Sequence, residues 1–79
     1  MKIEGPAFQN NQGNIVIPAP INGGTEWGVF EILPTNTFLR IEDKSLPLRS
    51  WRFEVARDLA RYAKKQKWVP VEVHHRSND

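Results

Sequence analysis

The chain has 79 residues, of which 39% are hydrophobic, 25% charged and 10% aromatic, and it carries a net charge of +2. That length predicts a single domain over 1–79, because chains usually divide only beyond about 250–300 residues. No apolar run approaches the ~18 residues of a membrane span, and the absence of cysteine removes disulfides, thiolate zinc sites and thiol nucleophiles together.

The opening stretch, Met1-Lys2-Ile3-Glu4-Gly5-Pro6, has no apolar signal core. With no disulfides either, the expected setting is cytoplasmic. A core of this size supplies only about 3–5 kcal/mol without added staples, so a homodimer is one route to extra stability. It also leaves little room for an enclosed pocket of ~300 Å³ or more, which favours surface recognition.

In chain order, Ile3–Phe8 and Ile15–Ile17 read as two strands joined through Asn10-Asn11-Gln12-Gly13-Asn14, whose Asn and Gly residues tolerate positive φ. Pro6 makes the first strand short or an edge strand. Pro18, Pro20 and Asn22-Gly23-Gly24 predict a flexible loop over 18–25. Trp27–Leu33 and Thr37–Glu42 form the clearest hairpin, turning at Pro34-Thr35-Asn36. In the second strand Leu39 and Ile41 share a face opposite Phe38 and Arg40. The first strand has no clean polar face, which suits a central position or one covered on both faces.

After the connector Asp43–Leu48, Ser50 is the expected N-cap of a helix over 50–67. Projected at ~100° per residue, Trp51, Val55, Leu59, Tyr62 and Ala63 fall on one face, widened by Phe53, Ala56 and Ala60. Arg57, Arg61, Lys64 and Lys65 lie opposite with Glu54 and Asp58, spaced for i,i+3 pairing. Trp68–His74 reads as a final strand with Val69, Val71 and Val73 facing the core, and Pro70 favouring an edge. Residues 75–79 are expected to fray. The fold class is therefore α+β: a small two-layer domain with an antiparallel sheet of four to five strands and one amphipathic helix on one face, in the order β-β-β-β-α-β.

Charge is divided unevenly along the chain. Residues 1–43 sum to −3 and residues 44–79 to +5, a polarity able to steer an acidic partner. Catalytic chemistry has little to work with. No phosphate loop or nucleophile elbow is present, and His74 and His75, adjacent in a strand, point to opposite faces and cannot converge on one ion. Glu42-Asp43 suits a turn, and Glu54 and Asp58 suit ion pairs. No catalytic residue, metal or cofactor is implied, nor is there an RNP-type aromatic motif, a GXXG clamp or zinc-finger spacing.

Two surfaces remain as candidates. The cationic helix face, with Arg57, Arg61, Lys64 and Lys65 and with Arg49 and Arg52 at its start, has the spacing to contact successive phosphates of a nucleic acid or an acidic protein surface. Cations at a helix C-terminus also complement its dipole, which accounts for Lys64 and Lys65 without any partner, but not for mid-helix Arg57. The alternative is a protein-binding or inhibitor surface on an exposed sheet face or edge strand, with Trp27, Phe30 and Phe38 as its aromatic candidates.

Overall fold

The computed structural model describes residues 7–71. A five-stranded antiparallel sheet is built from β1 (Phe8–Gln9), β2 (Ile15–Ile21), β3 (Glu26–Ile32), β4 (Phe38–Arg40) and β5 (Val69–Pro70), in the spatial order β4-β3-β2-β1-β5. One helix, α1 (Arg52–Gln66), packs on it. This is the expected α+β architecture in the expected element order. β3 is an interior strand, between β4 and β2, which suits its lack of a polar face.

The two hairpin turns form as their residues dictate. Asn10 Oδ1 accepts from the backbone N–H groups of Gln12 and Asn14, and Gly13 takes a φ of 82° that an L side chain resists. Asn10 and Asn14 both donate through Nδ2 to Glu31 Oε2, at 2.8 and 2.7 Å, pinning this turn to β3. In the second turn the Leu33 N–H donates to the Thr37 carbonyl across Asn36, whose φ is 66°.

The expected loop over 18–25 is half wrong. Pro18-Ala19-Pro20-Ile21 continues β2, and the chain turns at Asn22–Gly24, where all three residues have positive φ. The ladder explains why two prolines are tolerated. Val29 accepts from the Ile41 N–H and Trp27 exchanges bonds with Arg49, so the odd-numbered residues of β3 direct their backbone away from β2. Pro18 and Pro20 pair with Val29 and Trp27, so their nitrogens point away from β3, and among the described residues β1 pairs with β2 only as far as Val16. The missing N–H groups therefore leave the ladder intact.

Register decides what each side of the sheet carries. Val16, Pro18 and Pro20 of β2 share one side with Trp27, Val29 and Glu31 of β3, joined by Phe8 of β1 and Leu39 of β4. The helix covers this side. Val16, Val29, Leu46, Val55 and Leu59 form the buried cluster, with Phe8, Trp27, Ile41, Tyr62 and Trp68 packed around it. Leu46, read in sequence as mere connector, is fully buried.

The other side carries Ile15, Ile17, Ala19, Gly28, Phe30, Ile32, Phe38 and Arg40. Among the described residues no helix covers it. Gly28 makes room for a close approach here, since a Cβ would stand 3.0 Å from Leu48 Cδ2 and that side chain would have to give way. Arg40 lies over the same glycine, with its Nε buried and unpaired.

Several expectations about α1 and β5 need correction. The residue before the helix is Trp51, not Ser50, and no side chain caps it; the Trp51 carbonyl accepts from the Glu54 and Val55 N–H groups instead. Trp51 is extended, at φ −121° and ψ 137°, so a helical projection does not apply to it. Phe53 falls ~120° from Leu59 around the helix, beyond the buried stripe. Both aromatics are exposed, at 60% and 55%, and contact each other with centroids 5.4 Å apart and planes tilted by 53°. Ala60 is exposed as well.

The helix ends where Lys67 turns left-handed, φ 64°, and the Trp68 N–H returns to the Ala63 carbonyl. Beyond it, β5 is the expected edge strand, but Val69 pairs with Gln9 on the uncovered side and is 58% exposed. The expected strand at Ile3, the edge role of Pro6, Val73, the histidine pair and the tail at 75–79 lie outside the described residues.

Candidate functional site

Asp58 organises the site. The sequence places it on the solvent face of the helix with the cations, yet it is 4% exposed. Its position, ~100° from Leu59, is the flank where α1 meets the connector. Arg49, paired through its backbone to Trp27, points its side chain to the helix side of the sheet. Its Nε donates to Asp58 Oδ2 at 2.9 Å, and Arg61 lies 3.6 Å from Asp58 Oδ1 in the expected i,i+3 pair. The bond to Asp58 raises the Arg49 pKa above its ordinary value, so that guanidinium stays charged. No ion pair joins Glu54 to Arg57 among the described residues.

A second tie runs from the connector to the helix. Asp43 folds its own turn, Oδ1 accepting from the Ser45 N–H at 2.8 Å, and the Leu46 N–H donates to the Asp43 carbonyl. The Tyr62 hydroxyl donates to Asp43 Oδ2 at 3.3 Å. The Ser45 backbone bond holds the Asp43 carboxyl below the usual carboxylate range, while burial and then Asp43 raise the Tyr62 phenol above its own. The Tyr62 ring meets Trp68 edge-on, 5.4 Å between centroids at 72°. Its hydroxyl and its ring thus each have a partner.

Between these two ties lies an open cleft of about 530 Å³, lined by Lys44, Ser45 and Pro47 of the connector, by Arg49 just after it, and by Asp58, Arg61, Tyr62, Lys64 and Lys65 of α1. A chain of this size was expected to have little room for a pocket. It makes room at the surface, by holding the connector off the side of α1. Five of the nine lining side chains are basic and one is acidic.

Of the six cationic residues singled out from sequence, the cleft gathers Arg49, Arg61, Lys64 and Lys65. Arg57 is exposed and Arg52 half-buried, and neither lines it. Lys44 does, and helical periodicity could not find it because it lies outside the helix. Its signal was proximity to Asp43 and Pro47, residues that bend the connector back. Of the aromatic candidates, Phe30 and Phe38 share the uncovered side of the sheet, with Phe38 51% exposed, while Trp27 belongs to the helix side and packs on the core.

Compared with known proteins, the chain matches no family model, no curated protein and no solved structure.

Proposed function

We propose that the protein is a non-enzymatic binding module that holds nucleic acid in the cleft between α1 and the connector. Lys44, Arg61, Lys64 and Lys65 contact phosphate, and Arg49 acts mainly by fixing Asp58 and the connector. The observation that carries this reading is the convergence of five basic side chains from two chain segments on one open cleft. Its single lining carboxylate already has two cationic partners. Dipole complementation explains Lys64 and Lys65 in the last helical turn, but not why Lys44 and Arg61 face the same space.

Phosphate contacts release counterions, so affinity falls steeply with salt, by a log–log slope of about −0.7 per contact on single strands and −0.9 on duplex. The test is fluorescence anisotropy with labelled oligonucleotides across a salt series. Lys64→Glu with Lys65→Glu is expected to weaken binding at least tenfold and flatten the slope, with the circular dichroism spectrum unchanged. Negligible binding of any oligonucleotide at low salt overturns the reading.

A protein partner is the second reading, and one observation favours it: Phe30 and Phe38 sit together with Ile15, Ile17 and Ile32 on a sheet face that no helix covers among the described residues. Such a partner, or a second copy of this chain, would be insensitive to the lysine changes and sensitive to Phe38.

A further inference from the structure

The cleft is not a uniformly charged ridge, and its mixed lining narrows what it takes. We infer that it accepts unpaired nucleotides, the base packing on Tyr62 and Pro47 and the backbone phosphates on Lys44, Arg61, Lys64 and Lys65, so that single strands bind in preference to duplex. This rests on the nucleic-acid reading above and adds to it the form of the nucleic acid.

Three features carry the inference. The first is shape. A volume of about 530 Å³ falls within the ~300–1,000 Å³ of sites that enclose small molecules, ample for one nucleotide. A duplex keeps its bases stacked and paired, and offers a surface cleft only phosphates and groove edges. A recessed site on a flat helix flank is filled by a splayed base and not by a rod laid across it.

The second is chemistry. A nucleotide has a planar, weakly polar base at one end and a phosphate at the other. The cleft has the matching division, with the Pro47 and Tyr62 rings among its lining and lysines and arginines around them. Stacking on a tyrosine is sequence-tolerant because every base has a π-face, and it contributes about 1–3 kcal/mol per base.

The third is preorganisation. The Tyr62 ring is held before any ligand arrives, by Asp43 at its hydroxyl and by its near-perpendicular contact with Trp68. Arg61 is likewise oriented by Asp58. A ring held in this way loses little freedom on binding. Lys44, Lys64 and Lys65 are exposed and can follow a backbone of variable geometry.

The experiment compares a labelled oligodeoxythymidylate of about twelve nucleotides with a hairpin duplex carrying the same number of phosphates, and adds a thymidine mononucleotide as competitor. The single strand is expected to bind at least tenfold tighter than the hairpin. Tyr62→Leu should weaken the strand fivefold or more while leaving its salt slope and the hairpin affinity unchanged, and Tyr62→Phe should retain the affinity because the ring remains. The mononucleotide should displace the strand only at far higher concentration; displacement at equal concentration would make the ligand a free nucleotide and overturn the strand assignment.

Ultraviolet cross-linking of the wild-type complex gives a readout independent of the variants' folding. The cross-linked peptide should contain Tyr62. A cross-link at Phe30 or Phe38, hairpin binding as tight as the strand's, or a folded Tyr62→Leu protein with unchanged strand affinity overturns the inference while the nucleic-acid reading stands. If strand and hairpin both fail to bind, the nucleic-acid reading falls instead.

Discussion

The two sides of the sheet are made from the same strands and end in opposite states. β2 and β3 place apolar residues on both: Val16, Val29 and Trp27 on one, Ile15, Ile17, Phe30 and Ile32 on the other. Only the first is closed over by Val55, Leu59 and Leu46. Alternation along a strand therefore does not decide which face becomes core when both are apolar. The connector decides it. Arg49 pairs with Trp27 at the outer edge of β3, sending its own side chain to the helix side and Leu48 to the other, against Gly28. From there the chain can lay α1 on one side alone. The cleft follows from the same crossing, because the segment that delivers the helix also forms the cleft's second wall.

The largest expected effect separates the two sides directly. Leu59→Ala removes a fully buried side chain at the centre of the helix stripe and is expected to cost about 2–5 kcal/mol. Phe38→Ser, on the bare side, is expected to cost under about 1 kcal/mol, since half of that ring already meets water. Urea unfolding of both variants at low protein concentration checks the contrast. Should Phe38→Ser approach the cost of Leu59→Ala, the bare side is covered in solution, and a dependence of the midpoint on protein concentration would identify a second copy as the cover.

A smaller effect is expected at the junction between connector and helix. Asp58→Ala leaves Arg49 and Arg61 without their shared acceptor, but 41% of the Arg49 side chain and 72% of the Arg61 side chain are exposed and water can take over. The loss of stability should fall below that of Leu59→Ala, with Asp58→Asn milder than Asp58→Ala because the amide oxygen still accepts one bond. The more telling readout is binding. Asp58→Asn removes a negative charge from a cationic cleft, so oligonucleotide affinity should rise even as the unfolding midpoint drops. A fall in both would mean that Asp58 positions Arg61 more than it offsets its charge.

Much of this molecule was legible in its sequence because it is local. Asn10 through Gly13, Pro34 through Asn36 and the spacing of Val55, Leu59 and Ala63 each specify their own backbone. What escaped was set by partners distant along the chain. Pro18 and Pro20 look like strand breakers until the pairing shows that the ladder to β3 does not need their N–H groups. Trp51 and Phe53 look like core until the helix starts one residue after Trp51. Asp58 looks like a surface carboxylate until Arg49, nine residues earlier, arrives beside it. At the site, the helical cations could be found by periodicity, while Lys44 and the Tyr62–Asp43 tie needed the path of the connector.

The smallest effect tests that path most cleanly, because the chain has a single tyrosine. Burial, and then the Asp43 charge and hydrogen bond, hold the Tyr62 phenol above its ordinary value of about 10. A raised pKa means that folding favours the neutral phenol, so its contribution to stability is complete below pH ~10 and is lost as the pH rises through the higher folded value. The absorbance change of phenolate formation follows this one group. In the wild type its midpoint should lie above that of a model tyrosine peptide. Asp43→Asn removes the nearby charge, so the midpoint should fall toward the free value without reaching it, because burial is the larger cause. An unchanged midpoint in that variant would mean that the connector does not rest on the helix, and the cleft would then lack the wall that carries Lys44.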